Sequence, residues 1–222
     1  MVNLYLGGED MIKRIFGHFF SETPTKTFNQ KFYNEDQPLK LHIGCGTQYK
    51  PSWINIDNNS DTNIETLDID WDLRKGMPFE DQSVDYIYHE HFIEHLSYEE
   101  GLIFMSDCYR VLKFGGVMRI ACPDLDALVK CYIEGTWHEQ SWVKKYQCEW
   151  MPSSAYMLNA CINESPWGHK YVYNKEDLKR RLCDAGYTLE NISEASLNES
   201  EYELLQGLDN REDSMFFDAL KS

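Results

Sequence analysis

Apolar and polar positions alternate over Leu39-Lys40-Leu41-His42-Ile43, and the run ends in Gly44-Cys45-Gly46. A half-buried strand closing in a glycine turn is the reading such a pattern supports. Further strands are predicted at Trp53–Asp57, Glu65–Asp70, Val84–Tyr88, Val117–Cys122, Tyr187–Ala195 and Met215–Leu220. Between them the period changes to that of a helix. Met11, Ile12, Ile15, Phe16 and Phe19 mark a short amphipathic helix near the start, and Leu102, Met105, Tyr109 and Leu112 another. Ser97 and Glu100 have the spacing of a capping box at the head of the second, and Gly115-Gly116 is expected to end it. Leu125, Leu128, Val129 and Tyr132 predict a third helix, and Leu178, Leu182 and Ala185 a fourth, capped by Asn174. Residues 136–168 hold Trp137, Trp142, Trp150 and Trp167 without clean periodicity and read as an irregular insertion.

Strands alternating with helices, then a closing strand pair with no room for a crossover helix, predict an α/β fold. It is a Rossmann-like, mostly parallel seven-stranded sheet with an antiparallel C-terminal strand and helices on both faces. All 222 residues are expected to form one domain. Its parts are an N-terminal helix and loop (1–37), a core (38–125) and the aromatic insertion (136–168).

Charge restricts the partners. There are 37 acidic against 21 basic side chains, a net charge of −16. Such a surface repels phosphates and anionic lipid, so no nucleic-acid and no membrane partner is expected. The start of the chain lacks the basic head and apolar stretch of a secretory signal, which predicts a cytoplasmic location. Seven cysteines without a Cys-x-x-Cys pair read as reduced, buried side chains and not as a disulfide framework or a thiolate metal site.

In open α/β sheets a ligand binds beyond the carboxyl ends of the strands where strand order reverses. Gly44-Cys45-Gly46 and Asp57 fall at two such ends, and a carboxylate there can hold both hydroxyls of a ribose. A dinucleotide fingerprint would need a third glycine where Tyr49 stands, and an acid ~20 residues past the first glycine. Asp57 comes thirteen residues after Gly44. NAD and FAD are therefore disfavoured.

From here the motifs, in order, resemble those of class I S-adenosylmethionine-dependent methyltransferases. Leu41–Thr47 is similar to their first motif and Trp53–Asp57 to their acidic second strand. Asp72–Tyr88, His91–Leu96 and Tyr109–Gly116 continue the likeness, which covers residues 38–125. The nearest resemblance is to small methyltransferases of the type-11-like group, some associated with surface-polysaccharide pathways. Three departures stand out. His42 replaces an acid found in many members, Gln48 replaces a glycine, and the link from Gly46 to the second strand is too short for a full helix.

The resemblance implies that Gly44, Cys45 and Gly46 offer backbone to the methionyl part of S-adenosyl-L-methionine. It implies that Asp57 holds the ribose, Asn58 lies beside the adenine, Asp72 accepts from the adenine amino group, Leu73 packs its ring edge and His89 sits near the sulfonium. The expected function is methyl transfer to a small molecule or carbohydrate, on oxygen. A neutral histidine suits deprotonation of a hydroxyl near pH 7, and His91 and His169 are the candidates. The tryptophans of 136–168 are expected to cap the acceptor, with a satellite core or a homodimer contact as the alternative use of those rings. Two other readings compete with this one: a non-catalytic cofactor-binding domain of the same fold, and a zinc hydrolase. The latter rests on His91-Phe92-Ile93-Glu94-His95, which matches a pattern that puts two imidazoles on one helical face. Because that pentapeptide lies within the methyltransferase-like stretch, no metal is assigned.

Overall fold

The computed structural model describes residues 37–58, 67–163 and 168–222. The helix expected near the start, the first part of the third strand and Trp167 lie outside the described residues. Seven strands form one sheet: β1 (Lys40–Ile43), β2 (Ile54–Asp57), β3 (Ile69–Asp70), β4 (Val84–Glu90), β5 (Leu112–Pro123), β6 (Ile192–Ala195) and β7 (Ser214–Leu220). Their order is β3-β2-β1-β4-β5-β7-β6. β1 to β5 pair in parallel, and β7 runs antiparallel to both β5 and β6. The mostly parallel sheet with an antiparallel closing strand is the expected fold.

Five helices are described: α1 (Tyr98–Val111), α2 (Leu125–Glu134), α3 (Ser141–Lys145), α4 (Ser154–Ile162) and α5 (Lys175–Asp184). Leu102 and Met105 of α1 and Leu178 and Leu182 of α5 share one core with Leu41, Ile43, Ile56 and Ile87 of the sheet. Tyr88, next to Ile87 and so on the opposite face, packs in a smaller cluster with Trp53, Val117 and Leu205. The loop between β6 and β7 is tied down there. Arg119, wholly buried, donates to Asp209 (3.0 and 2.5 Å), Asp218 (3.0 Å) and the Ser196 carbonyl (2.9 Å).

Ser97 accepts from the Glu100 amide at 3.2 Å and the Glu100 carboxylate accepts from the Ser97 amide at 2.8 Å, the reciprocal cap that the spacing predicted. The other end of α1 differs from expectation. The helix stops at Val111, and Leu112 already belongs to β5, with Gly115 inside that strand at φ +82°. The glycine pair therefore shapes an irregularity of the strand. The insertion also proves more regular than its sequence. Its helices enclose a satellite core of Trp137, Val143, Cys148, Met151, Met157, Ala160 and Cys161, packed on Leu128 and Cys131 of α2. All seven cysteines are free. No helix among the described residues is long and apolar enough to cross a membrane.

Candidate functional site

Strand order reverses between β1 and β4, because the chain adds β2 and β3 on one side of β1 and then returns to the other. A cleft of about 580 Å³ opens at this point, lined by His42, Gly44, Cys45, Gly46, Thr47, Gln48, Glu90 and His91 with Tyr146 and Arg211. The two glycines serve different ends. A Cβ on Gly44 (φ +61°) would collide with the Phe92 ring, so that glycine admits a neighbouring side chain. A Cβ on Gly46 (φ +50°) would meet nothing within 4 Å, so this glycine leaves backbone facing open space. The Gly46 amide donates to Asp57 Oδ2 at 2.7 Å, and the Asn58 amide donates to Oδ1 at 2.7 Å. Each carboxylate oxygen keeps a lone pair for a further donor.

Behind this turn the chemistry is neutral. His42 is buried, with Nδ1 2.9 Å from Asn55 Oδ1, and burial pulls its pKa down to about 4. Burial and the Asp57 charge push the Cys45 thiol up to about 12, so no thiolate forms there near neutral pH. Glu90 is the anionic group of the cleft. Its carboxylate accepts from the amides of Asn210 (2.7 Å) and Arg211 (2.9 Å), which pins the β6–β7 loop over the strand ends.

Five expected cofactor residues, Asp57, Asn58, Asp72, Leu73 and His89, are not in the lining of this cleft, although Asp57 is joined to it through the Gly46 amide. His89 points to the opposite face from Tyr88 and Glu90. It is fully buried against Phe92 and Phe104, with neither ring nitrogen hydrogen-bonded, and burial lowers its pKa to about 4. It lines neither cleft and packs among those rings. Asp72 accepts from the Arg74 amide (3.1 Å) and from its guanidinium (2.8 and 2.9 Å), which holds its carboxyl below the usual range. It caps the 3-10 turn Leu73–Lys75, and Leu73 is buried in the core. The Asp72 carboxylate thus serves as the local cap of that turn.

A second cleft, about 560 Å³, adjoins the first. It runs between α2, the satellite core and the loop before β7, and its walls include Asp124, Leu128, Trp142, His169 and Asp213. His91, Tyr146 and Arg211 line both clefts. His91 stands at φ +51°, a conformation uncommon for a residue with a Cβ. Its Nε2 lies 2.8 Å from Ser214 Oγ. Its Nδ1 lies 3.0 Å from Glu94 Oε1, at ion-pair distance but without hydrogen-bond alignment. Glu94 is fully buried. Burial alone would raise its pKa, but the His91 contact and the neighbouring imidazoles win and bring it to about 2. His169 sits in the wall of the second cleft, its Nδ1 2.6 Å from the Cys161 carbonyl. The hydrolase-like pentapeptide does not make a helical face: only Ile93–His95 forms a 3-10 turn, and His91 precedes it.

Glu90, Tyr146, Arg211 and Ser214 were not among the expected site residues. An acid directly before His91 at the end of a strand was a readable signal for Glu90. The other three reach the site only through contacts far along the chain.

The reversal point, the open glycine and the acid after β2 together mark a candidate ligand site at the ends of β1 and β2 of an α/β fold. Residues 55–120 match the family model Methyltransf_11, described as a methyltransferase domain. The match covers the stretch from β2 through most of β5, which is similar to that family, and does not extend over the rest of the chain. No curated protein matches the chain. Among solved structures it is similar to a SAM-dependent methyltransferase from Archaeoglobus fulgidus, at 17% identity over 96% of this chain and 99% of that one, with a TM-score of 0.49. A Thermotoga maritima protein described as a SAM-dependent methyltransferase, possible histamine N-methyltransferase, is 14% identical over 96% and 95%, with a TM-score of 0.48.

Proposed function

We propose that the chain is a single domain that methylates a hydroxyl oxygen of a small molecule or carbohydrate, with the cofactor in the first cleft and the acceptor in the second. The observation that carries this reading is the junction: one titratable side chain, His91, lines both clefts. The first cleft has a volume in the range of cofactor sites. Gly46 would lie along the methionyl part, and Asp57 would take the ribose hydroxyls on its remaining lone pairs. Glu90 supplies a negative charge suited to a cationic ligand. When bound, S-adenosyl-L-methionine supplies an electrophilic methyl group on a positively charged sulfur.

The chain's own residues orient the acceptor and take its proton. A carboxylate only accepts, so Glu94 favours the tautomer of His91 with hydrogen on Nδ1 and leaves a lone pair on Nε2. That lone pair meets the Ser214 hydroxyl at 2.8 Å, and an acceptor hydroxyl seated there would pass its proton to it. The second cleft combines Trp142 and Tyr146 with the carboxylates of Asp124 and Asp213. Flat apolar faces beside hydrogen-bond acceptors suit a polyhydroxylated ring. Residues 136–163 form one wall, so the aromatic insertion serves as an acceptor cap chiefly through Trp142.

Calorimetric titration with S-adenosyl-L-methionine, followed by transfer of an isotopically labelled methyl group to a panel of sugars and small alcohols, tests the proposal. Labelled methyl ethers that disappear in His91→Ala support it. Label transferred only to amines, carbon or thiols refutes it.

A further inference from the structure

Glu94 presents a problem that methyl transfer does not resolve. It is a fully buried carboxylate, and neither oxygen has a hydrogen-bond partner. Leaving such a group without hydrogen bonds is costly, and buried charges are ordinarily both paired and hydrogen-bonded, or bound to metal. His91 approaches one oxygen. Around the carboxylate also stand His95, at the end of the 3-10 turn, and His169, from the segment before α5. One donor atom from each of Glu94, His95 and His169 lies within 4.8 Å of the others. The two rings meet edge to face with centroids 5.0 Å apart.

The outer contacts of the two histidines are informative. His169 Nδ1 lies 2.6 Å from the Cys161 carbonyl, and His95 Nδ1 lies 3.3 Å from the Gly168 carbonyl. A carbonyl can only accept, so both Nδ1 atoms carry hydrogen when the rings are neutral. Nε2 is then the lone-pair nitrogen on each ring. A carbonyl fixing one nitrogen so that the other can ligate is the usual outer shell of a metal-bound imidazole. Two imidazoles and one carboxylate are a donor set for zinc or a similar borderline cation.

We propose that Glu94, His95 and His169 form a binding site for one divalent cation of the zinc class, in the wall of the second cleft. Bonds of ~2.1 Å in a tetrahedral shell hold ligand atoms ~3.4 Å apart, so small side-chain rotations complete the site. His95 and His169 both line the cleft, which leaves the ion's remaining position facing the space proposed for the acceptor. The site uses different residues from the His91/His95 pair of the peptidase-like pattern. Its binding test is independent of cofactor and of methyl transfer.

The full-length protein, stripped with chelator, should be incubated with zinc chloride, passed through a desalting column and assayed for metal. The expected result is close to one zinc per chain, with a rise in melting temperature on zinc addition. His169→Ala and His95→Gln should abolish both while still folding, as judged by circular dichroism. Glu94→Gln should do the same, and if it fails to fold the two histidine variants decide. Cobalt substitution should give a spectrum without thiolate charge-transfer bands. The proposal is overturned if well-folded wild-type protein retains no zinc, if retention survives both histidine changes, or if cobalt reports thiolate ligation.

Discussion

The backbone amide of Gly46 donates to Oδ2 of Asp57 at 2.7 Å, joining the glycine turn after β1 to the end of β2. One carboxylate thus sets the shape of the turn and, in the proposed site, takes the ribose. Asp57→Ala should weaken S-adenosyl-L-methionine binding by ~1.5–3 kcal/mol, roughly ten- to hundredfold. It should also lower the melting temperature by a few degrees, since the Gly46 and Asn58 amides lose their acceptor. Titration calorimetry with parallel melting curves reads both effects. Unaltered affinity in the folded variant would remove Asp57 from the site.

His91 separates chemistry from binding. His91→Ala should lower kcat by ~10²–10⁴-fold, the range for a lost general base, with cofactor affinity unchanged. Ser214→Ala keeps the imidazole and should cost far less. Single-turnover rates for the two variants, measured with saturating cofactor, make the comparison. Equal losses in both would place the function on the hydroxyl.

What the sequence made legible was what neighbours along the chain decide. Most strands announced themselves by alternation or apolar runs, the capping box by its spacing, and the turn at Gly44–Gly46 by its missing side chains, but the strand expected over 187–195 begins only at Ile192, after the 3-10 turn Leu189–Asn191. Within β4 the alternation was legible too: His89 turns to the face opposite Tyr88 and packs against Phe92 and Phe104. Asp72 also pairs locally, with Arg74 two residues on, a contact its sequence spacing made readable. The junction was out of reach, because Ser214 meets His91 across 123 residues and the Arg211 amide meets Glu90 across 121. The helices of the insertion were hidden for another reason. They bury their apolar residues against one another and α2 in a small separate core, so no single period dominates.

Acceptor binding should respond to the volume of the second cleft. Ala127 is exposed on α2 and lines that cleft, away from both glycines. Ala127→Trp should fill part of the space, raise the acceptor KM several-fold and leave cofactor affinity unchanged. Steady-state kinetics at saturating cofactor provide the check. A rise in the cofactor Kd instead would show that the two clefts are not separate binding sites.

Stability should fall on mild acidification. His42 and His89 hold pKa values near 4, below the ordinary ~6.5 that they regain on unfolding. Between those values the unfolded chain binds protons that the native one refuses. The stabilisation is complete above pH 6.5 and declines as pH falls toward 4, by up to ~1.4 kcal/mol per unit for each ring. Glu94, depressed to about 2, adds its loss only below the ordinary carboxylate range. Denaturant midpoints from pH 7.5 to 5 should therefore slope downward, and His89→Leu should flatten the slope. An unchanged slope in that variant would mean that His89 does not resist protonation.

The loop that roofs both clefts hangs on Arg119. Its guanidinium is wholly enclosed and gathers Asp209, Asp218 and the Ser196 carbonyl from the loop and from β7. Arg119→Ala leaves two buried carboxylates without their cation, a change that costs ~3–5 kcal/mol against a total stability of ~5–15 kcal/mol. Because Asn210 and Arg211 follow directly on Asp209, the same change should free the loop from Glu90 and expose residues 196–213 to protease. A triple exchange to apolar residues, Arg119→Met with Asp209→Leu and Asp218→Leu, should recover most of the stability, since no charge is then stranded. It should not restore the polar ties at Ser196 and Ser200, so the loop remains the first site of cleavage. Limited proteolysis and denaturant titration of the single and triple variants distinguish the two effects. If the single variant keeps wild-type stability and loop protection, the Arg119 cluster does not hold the roof.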